Sequence, residues 1–388
     1  MRIINGLIYR PDGEFKSGTL EINGDVISGV SDFVCSLNNN EEVIDAQGMF
    51  IIPGLTDIHF HGCMGFDLCD GNINALKAIA SYQARNGITS ICPATMTLAP
   101  ERIIKILKAA REFRDLNFSE CAELVGINLE GPFISPAKCG AQDPKFAIKP
   151  DIDLFAEFYE ASGKLIKICC VAPELDGAID FIKHLHENFS DVRVSLAHTC
   201  ADYDTALQAF NAGLNHITHL YNAMNPITHR SPGPILAAAD FNDFNQAVMA
   251  ELICDGVHVH AAAIRNAFRL FNDNIIMISD SLRATGMPDG EYELGGQIFI
   301  KQGHKACLKT SPETLAGSVT NLMDCVRFAV KNNIINLEQA VKCAAVNPAM
   351  AINIYDKFGS IEPGKTANLV ILNKNLETAK VFIRGKIL

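Results

Sequence analysis

The segment Asp57-Ile58-His59-Phe60-His61-Gly62 constrains the fold and the chemistry of this chain more than any other. It directly follows the strand-like run from Met49 to Thr56. Neighbouring side chains on a strand point to opposite faces, so His59 and His61 share a face. Two imidazoles that project together from the carboxyl end of a buried strand are typical of half a metal site. The alternative is a pair of structural histidines in a tight turn.

Composition indicates a globular chain with a large core. Of the 388 residues, 48% are hydrophobic and 20% are charged, which is typical of globular proteins. We expect no membrane partner, because no apolar stretch is long enough to span a bilayer. We expect no nucleic-acid partner either. The formal net charge is -11, and the sequence lacks the cluster of basic residues that is typical of nucleic-acid binding. A small anionic substrate stays compatible, since it needs only local positive charge.

The cysteines and the first residues indicate a cytoplasmic protein. The 13 cysteines are scattered and form no CxxC pair, which fits reduced thiols better than a disulfide framework. The first ten residues read as a strand and lack a secretory apolar region with a cleavage site. We therefore expect the protein in the cytoplasm.

Eight apolar runs alternate with helical stretches through the middle of the chain. This alternation predicts βα units and a parallel sheet, and eight units over about 300 residues predict a (β/α)8 barrel of the TIM type. A doubly wound sheet is the main alternative, but it is expected to carry a glycine-rich phosphate turn after its first strand. The predicted runs are roughly Met49–His59, Ile88–Thr95, Glu123–Glu130, Leu165–Ala172, Val192–His198, Leu214–His219, Val248–Cys254 and Ile275–Asp280.

The two ends of the chain have a different pattern, with Gly and Asn turns between short strands. We predict one small β-sandwich domain, built from residues 1–52 and 355–388. The catalytic barrel, residues 53–354, would be inserted between its halves. The predicted fold class is therefore α/β, a TIM-like barrel plus a β domain made from both termini.

Polar residues at the ends of the predicted strands form a consistent set. A (β/α)8 barrel keeps its active site at the carboxyl ends of its strands. Four imidazoles and two carboxylates would meet there, which suits zinc or a similar metal, either as one ion or as two ions bridged by a carboxylate. The set is His59, His61, Glu130, His198, His219 and Asp280.

Some of these residues, and other histidines, also have plain structural interpretations. A carboxylate that follows an apolar strand can cap a helix, which is the alternative for Glu130. His198 could lie at the start of the next helix. We interpret His216 as a packed core histidine, because it lies before the end of the sixth strand. His304 falls in a polar hairpin and is interpreted as a surface residue.

Several motifs together resemble the amidohydrolase superfamily. They are the HxH after the first strand, the histidines that end strands five and six, the aspartate that ends strand eight, and the segment from Gly359 to Leu372. Three strings resemble, within that superfamily, the family of N-acetylglucosamine-6-phosphate deacetylases: Leu129-Glu130-Gly131-Pro132-Phe133, Thr218-His219-Leu220-Tyr221-Asn222-Ala223-Met224 and Asp255-Gly256-Val257-His258. The resemblance runs essentially end to end. It implies a metal-dependent hydrolase that removes acetate from an amino-sugar phosphate.

The resemblance implies a role for each matched position. Glu130, His198 and His219 match the principal metal ligands, and His59 and His61 match a second-metal pair that only some members keep. Asp280 matches the catalytic acid/base, which also contacts the metal. One or two divalent ions per subunit are implied, Zn²⁺ first, with Fe²⁺, Co²⁺ or Mn²⁺ as alternatives. The substrate-binding positions that match are Ala141, Gln142, Asn222, Ala223, Arg230, His258, Leu315, Ala316 and Gly317.

Two residues of one loop raise questions of their own. Many relatives carry histidine where Gln142 stands, in contact with the substrate near the reacting amide. Glutamine donates a hydrogen bond but carries no charge, so the rate or the acyl preference is expected to differ. Cys139 lies in the same loop and gives the hypothesis of redox-sensitive activity, with a spectator thiol as the alternative.

Three alternative functions stay open at this point. The substrate could be N-acetylgalactosamine 6-phosphate, since one hydroxyl separates the epimers. A different amidohydrolase acting on a cyclic amide is disfavoured by the Asn222, Ala223 and Arg230 pattern. A non-catalytic scaffold would be expected to have lost metal ligands. Members of the family are commonly dimers in which a neighbouring subunit helps to bind phosphate, so we expect a homodimer, with His258 as a candidate for that contact.

Overall fold

A ring of parallel strands followed by helices forms the centre of the protein, as the sequence predicts. The structure, a computed structural model, describes residues 1–32, 42–244 and 247–388. All eight predicted barrel strands are present, and the third is in two pieces. They are Leu55–Asp57, Ile88–Ile91, Glu123–Leu124 with Ile127–Leu129, Ile166–Val171, Arg193–Leu196, His216–Ile217, Met249–Ile253 and Ile275–Ile278.

Hydrogen bonds between neighbouring strands close the ring. The first strand pairs with the second, and the second with the first piece of the third. The second piece of the third strand begins a parallel ladder that runs to the eighth strand, and a bridge between Ala94 and Asn128 joins the two ladders. The backbone N–H of Asp280 donates to the carbonyl of His59 at 2.9 Å. The ends of strands one and eight are therefore adjacent.

Helices flank the barrel strands, and five of the ten described α-helices start at an Asn or Asp whose side chain accepts a free backbone N–H group. The helix Leu322–Lys331 begins directly after Asn321, whose side chain accepts the backbone N–H of Asp324 at 3.0 Å. No helix among the described residues is long and apolar enough to cross a bilayer. The α-helices are Ile73–Arg85, Pro100–Leu116, Ile152–Ala161, Ala178–Asn188, Tyr203–Asn211, Gly233–Phe244, Ala261–Phe271, Leu322–Lys331, Leu337–Val341 and Asn347–Ala351.

Both ends of the chain contribute to one eight-stranded sheet, which confirms a β domain built from both termini. The sheet curls around its own apolar core, and Val26 bridges Thr366. Residues 33–41 of the predicted first half lie outside the described residues. The strands are Arg2–Tyr9, Phe15–Asn23, Val26–Ser31, Val43–Asp45, Phe50–Pro53, Leu369–Leu372, Thr378–Ile383 and Lys386–Ile387.

The predicted first run, Met49–His59, is two strands in two different sheets. Phe50–Pro53 belongs to the terminal sheet and Leu55–Asp57 to the barrel. Gly54 lies at the crossing, where a Cβ atom would stand 2.0 Å from the Thr89 hydroxyl oxygen. A residue without a side chain is required for this close approach. The division of the chain after residues 52 and 354 stays a prediction.

A four-stranded antiparallel sheet follows the eighth barrel strand, where the sequence indicated only a polar hairpin around His304. Its strands are Gly290–Leu294, Gln297–Gln302, Lys305–Leu308 and Ser311–Leu315. The chain leaves the last of these strands and passes at once through Ala316 and Gly317. This sheet therefore brings the predicted substrate-contacting turn to the mouth of the barrel.

Candidate active site

The six predicted metal ligands meet at the carboxyl ends of the barrel strands. Their side chains are buried or nearly so, and the most exposed is Asp280, at 13%. The ligand atoms form two groups, and within each group they lie within 4.8 Å of one another. The first group is His59, His61 and Asp280, and the second is Glu130, His198 and His219.

Glu130 lies between the two groups. Its Oε1 is 3.0 Å from His198 Nε2 and 3.1 Å from His219 Nε2. Its Oε2 is 3.3 Å from His61 Nε2. Because Oε1 also lies 3.4 Å from His59 Nε2, this carboxylate contacts histidines of both groups and could contribute to binding a cation in either.

Several buried polar atoms of this cluster have no hydrogen-bond partner among the described residues. His59 Nε2 and Glu130 Oε2 are among them, and the Nε2 atoms of His198 and His219 face each other at 3.1 Å. An unsatisfied buried polar group costs about 1–3 kcal/mol, and a cation among these atoms would remove that cost. Imidazole nitrogens and carboxylate oxygens are ligands of zinc and similar ions. The residues present therefore fit one or two divalent cations.

Contacts on the outer ring nitrogens orient two of these histidines. His198 Nδ1 lies 2.8 Å from the carbonyl of Lys138, and His59 Nδ1 lies 2.8 Å from Glu251 Oε2. A carbonyl or a carboxylate only accepts, so each Nδ1 carries the hydrogen. Each Nε2 then keeps a lone pair directed into the cluster, as a metal ligand requires.

Neighbouring charges keep the two carboxylates of the cluster ionised. Burial alone would raise the pKa of Glu130, but the electrostatic interaction with His59 and the hydrogen bonds of His198 and other histidines hold that pKa well below its usual range. Burial likewise opposes ionisation of Asp280, yet the hydrogen bond with His61 and nearby imidazoles lower its pKa. Burial would lower the pKa of His61, but Asp280 and Glu130 raise it to about 10. Both carboxylates can thus serve as ligands at neutral pH.

Three of the ligand residues adopt left-handed backbone conformations where their strands end. The φ angles are +44° for His198, +30° for His219 and +49° for Asp280. Non-glycine residues rarely adopt this region, and such strain, about 1–3 kcal/mol per residue, is concentrated at functional sites.

A cavity of about 270 Å³ lies against the cluster. All the predicted substrate-binding residues line it except Arg230, which is exposed on a loop. A larger cavity, of about 740 Å³, opens between the helix Ile73–Arg85 and the C-terminal strands but contains none of the ligands. Size alone therefore does not identify the site. The predicted residues that line the smaller cavity are Ala141, Gln142, Asn222, Ala223, His258, Leu315, Ala316 and Gly317.

Asp255 fixes His258 at the cavity wall. His258 Nδ1 lies 2.7 Å from Asp255 Oδ2, while Asp255 Oδ1 accepts the backbone N–H groups of Val257 and His258. Burial would lower the pKa of His258, but Asp255 outweighs it and raises that pKa. His258 Nε2 has no partner among the described residues. His258 therefore offers its donor to the cavity that it lines, and its contact with a neighbouring subunit stays a prediction.

The backbone of Thr97 fixes the orientation of Gln142. The Thr97 N–H donates to Gln142 Oε1 at 2.5 Å. Because a backbone amide donates, the Gln142 oxygen faces Thr97 and the NH₂ group points elsewhere. Since Gln142 lines the cavity, its NH₂ group is available to a substrate oxygen.

Cys139 has the character of a structural thiol. Its Sγ donates to the carbonyl of Ser135 at 3.4 Å, and burial raises its pKa to about 11. Reactive cysteines have lowered pKa values and are accessible. The structure therefore favours the spectator interpretation of Cys139 over redox sensitivity.

One buried carboxylate of the site escaped the sequence analysis. Glu251 is 0% exposed and lies within the seventh barrel strand, Met249–Ile253. A charged residue inside an apolar run was a usable signal, because buried charges almost always have partners. Its partner, His59, follows the first barrel strand, far away in the sequence, and becomes evident only once the ring is closed.

The chain is similar to known proteins over nearly its whole length. The model of the Amidohydrolase family matches residues 50–388. The N-acetylglucosamine-6-phosphate deacetylase of Bacillus subtilis (strain 168) is 37% identical over 376 residues, which cover 96% of this chain and 93% of that protein. The N-acetylgalactosamine-6-phosphate deacetylase of Escherichia coli O157:H7 is 32% identical over 89% of each chain.

Solved structures agree with these relatives. A mutant N-acetyl-D-glucosamine-6-phosphate deacetylase from Mycobacterium smegmatis, in complex with N-acetyl-D-glucosamine-6-phosphate, has a TM-score of 0.90 at 28% identity, covering 100% of this chain and 98% of that one. The N-acetylglucosamine-6-phosphate deacetylase from Pasteurella multocida has a TM-score of 0.91 at 26% identity, covering 100% and 99%.

Proposed function

Because the chain belongs to the amidohydrolase family, we propose that it hydrolyses N-acetylglucosamine 6-phosphate to glucosamine 6-phosphate and acetate. The observation that carries this proposal is the six-ligand cluster at a cavity lined by the residues expected to bind the sugar phosphate. A shared fold alone would not support a function. A scaffold without activity would be expected to lack ligands, whereas all six are present here.

Amidohydrolases depend on metal, and the cluster fits divalent cations. Glu130, His198 and His219 would hold one ion, and His59, His61 and Asp280 a second. Zn²⁺ is the proposed metal, with Fe²⁺, Co²⁺ and Mn²⁺ as alternatives that the same ligands accept. A divalent cation supplies Lewis acidity, which polarises an amide carbonyl and makes water easier to deprotonate near neutral pH.

Asp280 is the proposed carrier of the proton. Its lowered pKa keeps it ionised, and it lines the cavity, so its carboxylate can accept a proton from the attacking water. The same group then donates that proton to the amine nitrogen as the amide bond breaks. The NH₂ group of Gln142 donates to the acyl oxygen, whose negative charge grows in the tetrahedral intermediate.

The phosphate group is expected at the wall formed by Asn222, Ala223 and His258. The raised pKa of His258 favours a charged donor, which binds a phosphate dianion more strongly than a neutral one. Arg230 is exposed and does not line the cavity of its own subunit. We therefore propose a homodimer in which Arg230 reaches the partner's cavity, where its planar fork suits phosphate. Light scattering that shows an active monomer would contradict this assembly.

We also propose that the protein works in the cytoplasm. Every cysteine that the structure describes is free, and free thiols are typical of reducing compartments.

A substrate panel tests the proposed reaction. Acetate release is measured for N-acetylglucosamine 6-phosphate, its galacto epimer and unphosphorylated N-acetylglucosamine. The expected result is the highest kcat/KM for the phosphorylated gluco sugar. A higher kcat/KM for the galacto epimer, the substrate in the name of the Escherichia coli relative, would make that epimer the proposed substrate instead. Equal kcat/KM with the unphosphorylated sugar would contradict the phosphate site.

A further inference from the structure

Glu251 lies inside the barrel, directly against the metal ligands. It is 0% exposed on the seventh strand, which pairs with the sixth and the eighth. Its Oε2 lies 2.8 Å from His59 Nδ1 and accepts the backbone N–H of His219 at 3.2 Å. A single carboxylate oxygen thus contacts one ligand residue of each metal group.

The other oxygen of Glu251 is not satisfied. Its Oε1 lies 3.8 Å from His216 Nε2, beyond hydrogen-bond distance, and has no partner among the described residues. The ion-pair contacts of Glu251 in the described part of the chain are with His59 and His216. A buried carboxylate with so few donors is costly to keep. This cost makes a role at the neighbouring metal site more plausible than a contribution to stability.

The contact with Glu251 determines which nitrogen of His59 can bind a cation. An ionised carboxylate only accepts, so the hydrogen of His59 is on Nδ1 and Nε2 keeps its lone pair. His59 Nε2 lies 3.4 Å from Glu130 Oε1 and 3.8 Å from Asp280 Oδ1. The lone pair is therefore directed into the space between these carboxylates, where a cation would be bound.

We propose that Glu251 is a positioning residue that controls binding of the cation held by His59, His61 and Asp280. The inference rests on the proposed metal-dependent function. Without the carboxylate, the His59 ring is free to adopt the other tautomer, which directs an N–H at the cation position. The second group is less affected, because the Lys138 carbonyl independently orients His198.

Metal titration of two matched variants tests this role. Glu251→Gln keeps the side-chain volume but replaces a carboxylate that only accepts with an amide that can also present an N–H to His59 Nδ1, so it no longer selects one tautomer. His216→Gln changes a neighbour in the same buried layer and leaves the contact between Glu251 and His59 in place. Zn²⁺ per chain is measured by elemental analysis after dialysis against buffered free Zn²⁺, and circular dichroism checks the fold. His59→Asn serves as the reference for loss of one ligand.

The expected result is two ions per chain for the wild type and for His216→Gln. Glu251→Gln should need about 10–100-fold more free Zn²⁺ to fill one of the two positions, with the other unchanged. A Glu251→Gln titration equal to that of the wild type would overturn the inference, and so would an equal loss in His216→Gln. A wild type that binds one ion and still releases acetate would overturn this inference and leave the proposed function standing.

Discussion

Protonation of His216 is predicted to make the stability of this protein fall in mild acid. The side chain is 0% exposed, and burial lowers its pKa from 6.5 to about 4. In the unfolded chain the same imidazole titrates near pH 6.5. A group whose pKa is lower in the folded state contributes its full stabilisation at pH values above its unfolded pKa. This stabilisation is lost as the pH falls through the folded pKa. The affected window is therefore about pH 6.5 to 4.

The size of this effect follows from the difference between the two pKa values. Each pKa unit corresponds to about 1.4 kcal/mol, so a difference of about 2.5 corresponds to about 3 kcal/mol of unfolding free energy. The contact with the Ser195 hydroxyl, 2.9 Å from His216 Nδ1, is satisfied by the neutral ring. Protonation would place a charge on a fully buried ring, and burial disfavours the charged form.

The assay compares three proteins by urea denaturation between pH 4.5 and 7.5 in metal-free buffer. His216→Gln keeps a polar group beside Ser195 but cannot titrate, and His304→Gln is the control at an exposed position. The unfolding free energy of the wild type should fall relative to His216→Gln by about 2 kcal/mol or more across this range. His304→Gln should follow the wild type. Parallel curves for the wild type and His216→Gln would refute the reasoning.

Three further predictions concern activity. Dialysis against a chelator should abolish acetate release, and added Zn²⁺ should restore it. Full activity of protein without measurable metal would contradict the proposed role of the metal. Gln142→Ala should lower kcat about 100-fold with little change in KM, because a donor to the developing oxyanion is lost; an unchanged kcat in steady-state assays would exclude that role. Asp255→Asn removes the charge that raises the pKa of His258, so the protonated donor should be lost at lower pH. We expect KM for the phosphorylated sugar to rise about tenfold, as for loss of a charged hydrogen bond. In pH–rate profiles, the alkaline limb of kcat/KM should move to lower pH. An unchanged profile would show that His258 acts without Asp255.

Much of the fold could be predicted because strands buried on both faces are continuous apolar runs. Helical patterns followed most of these runs, which favoured the barrel, although the helices Ile152–Ala161 and Gly233–Phe244 were not predicted. The crossing at Gly54 could not be predicted, since Phe50–Pro53 and Leu55–Asp57 are both apolar. Nothing in such a run tells which sheet its residues will join. The reason appears only with the close approach of Thr89 to Gly54.

The candidate site could likewise be predicted only in part. The proposed ligands were predicted to lie together because each follows a strand, so a position in the sequence fixes a position at the barrel mouth. The partner of Glu251 depends on which strands surround it, and the orientation of Gln142 depends on a backbone N–H at Thr97. The exposure of Arg230 depends on the path of a loop. Contacts of this kind are set by the closed structure and have no periodic pattern in the sequence.

Acetate release from N-acetylglucosamine 6-phosphate, measured for the metal-loaded wild type and Asp280→Asn, tests the central claim most directly. Loss of general acid–base catalysis predicts a fall in kcat of about 100-fold or more, while the variant still binds the sugar phosphate by calorimetry. Turnover by Asp280→Asn at the wild-type rate would contradict the proposed proton carrier. No turnover by the wild type would contradict the substrate.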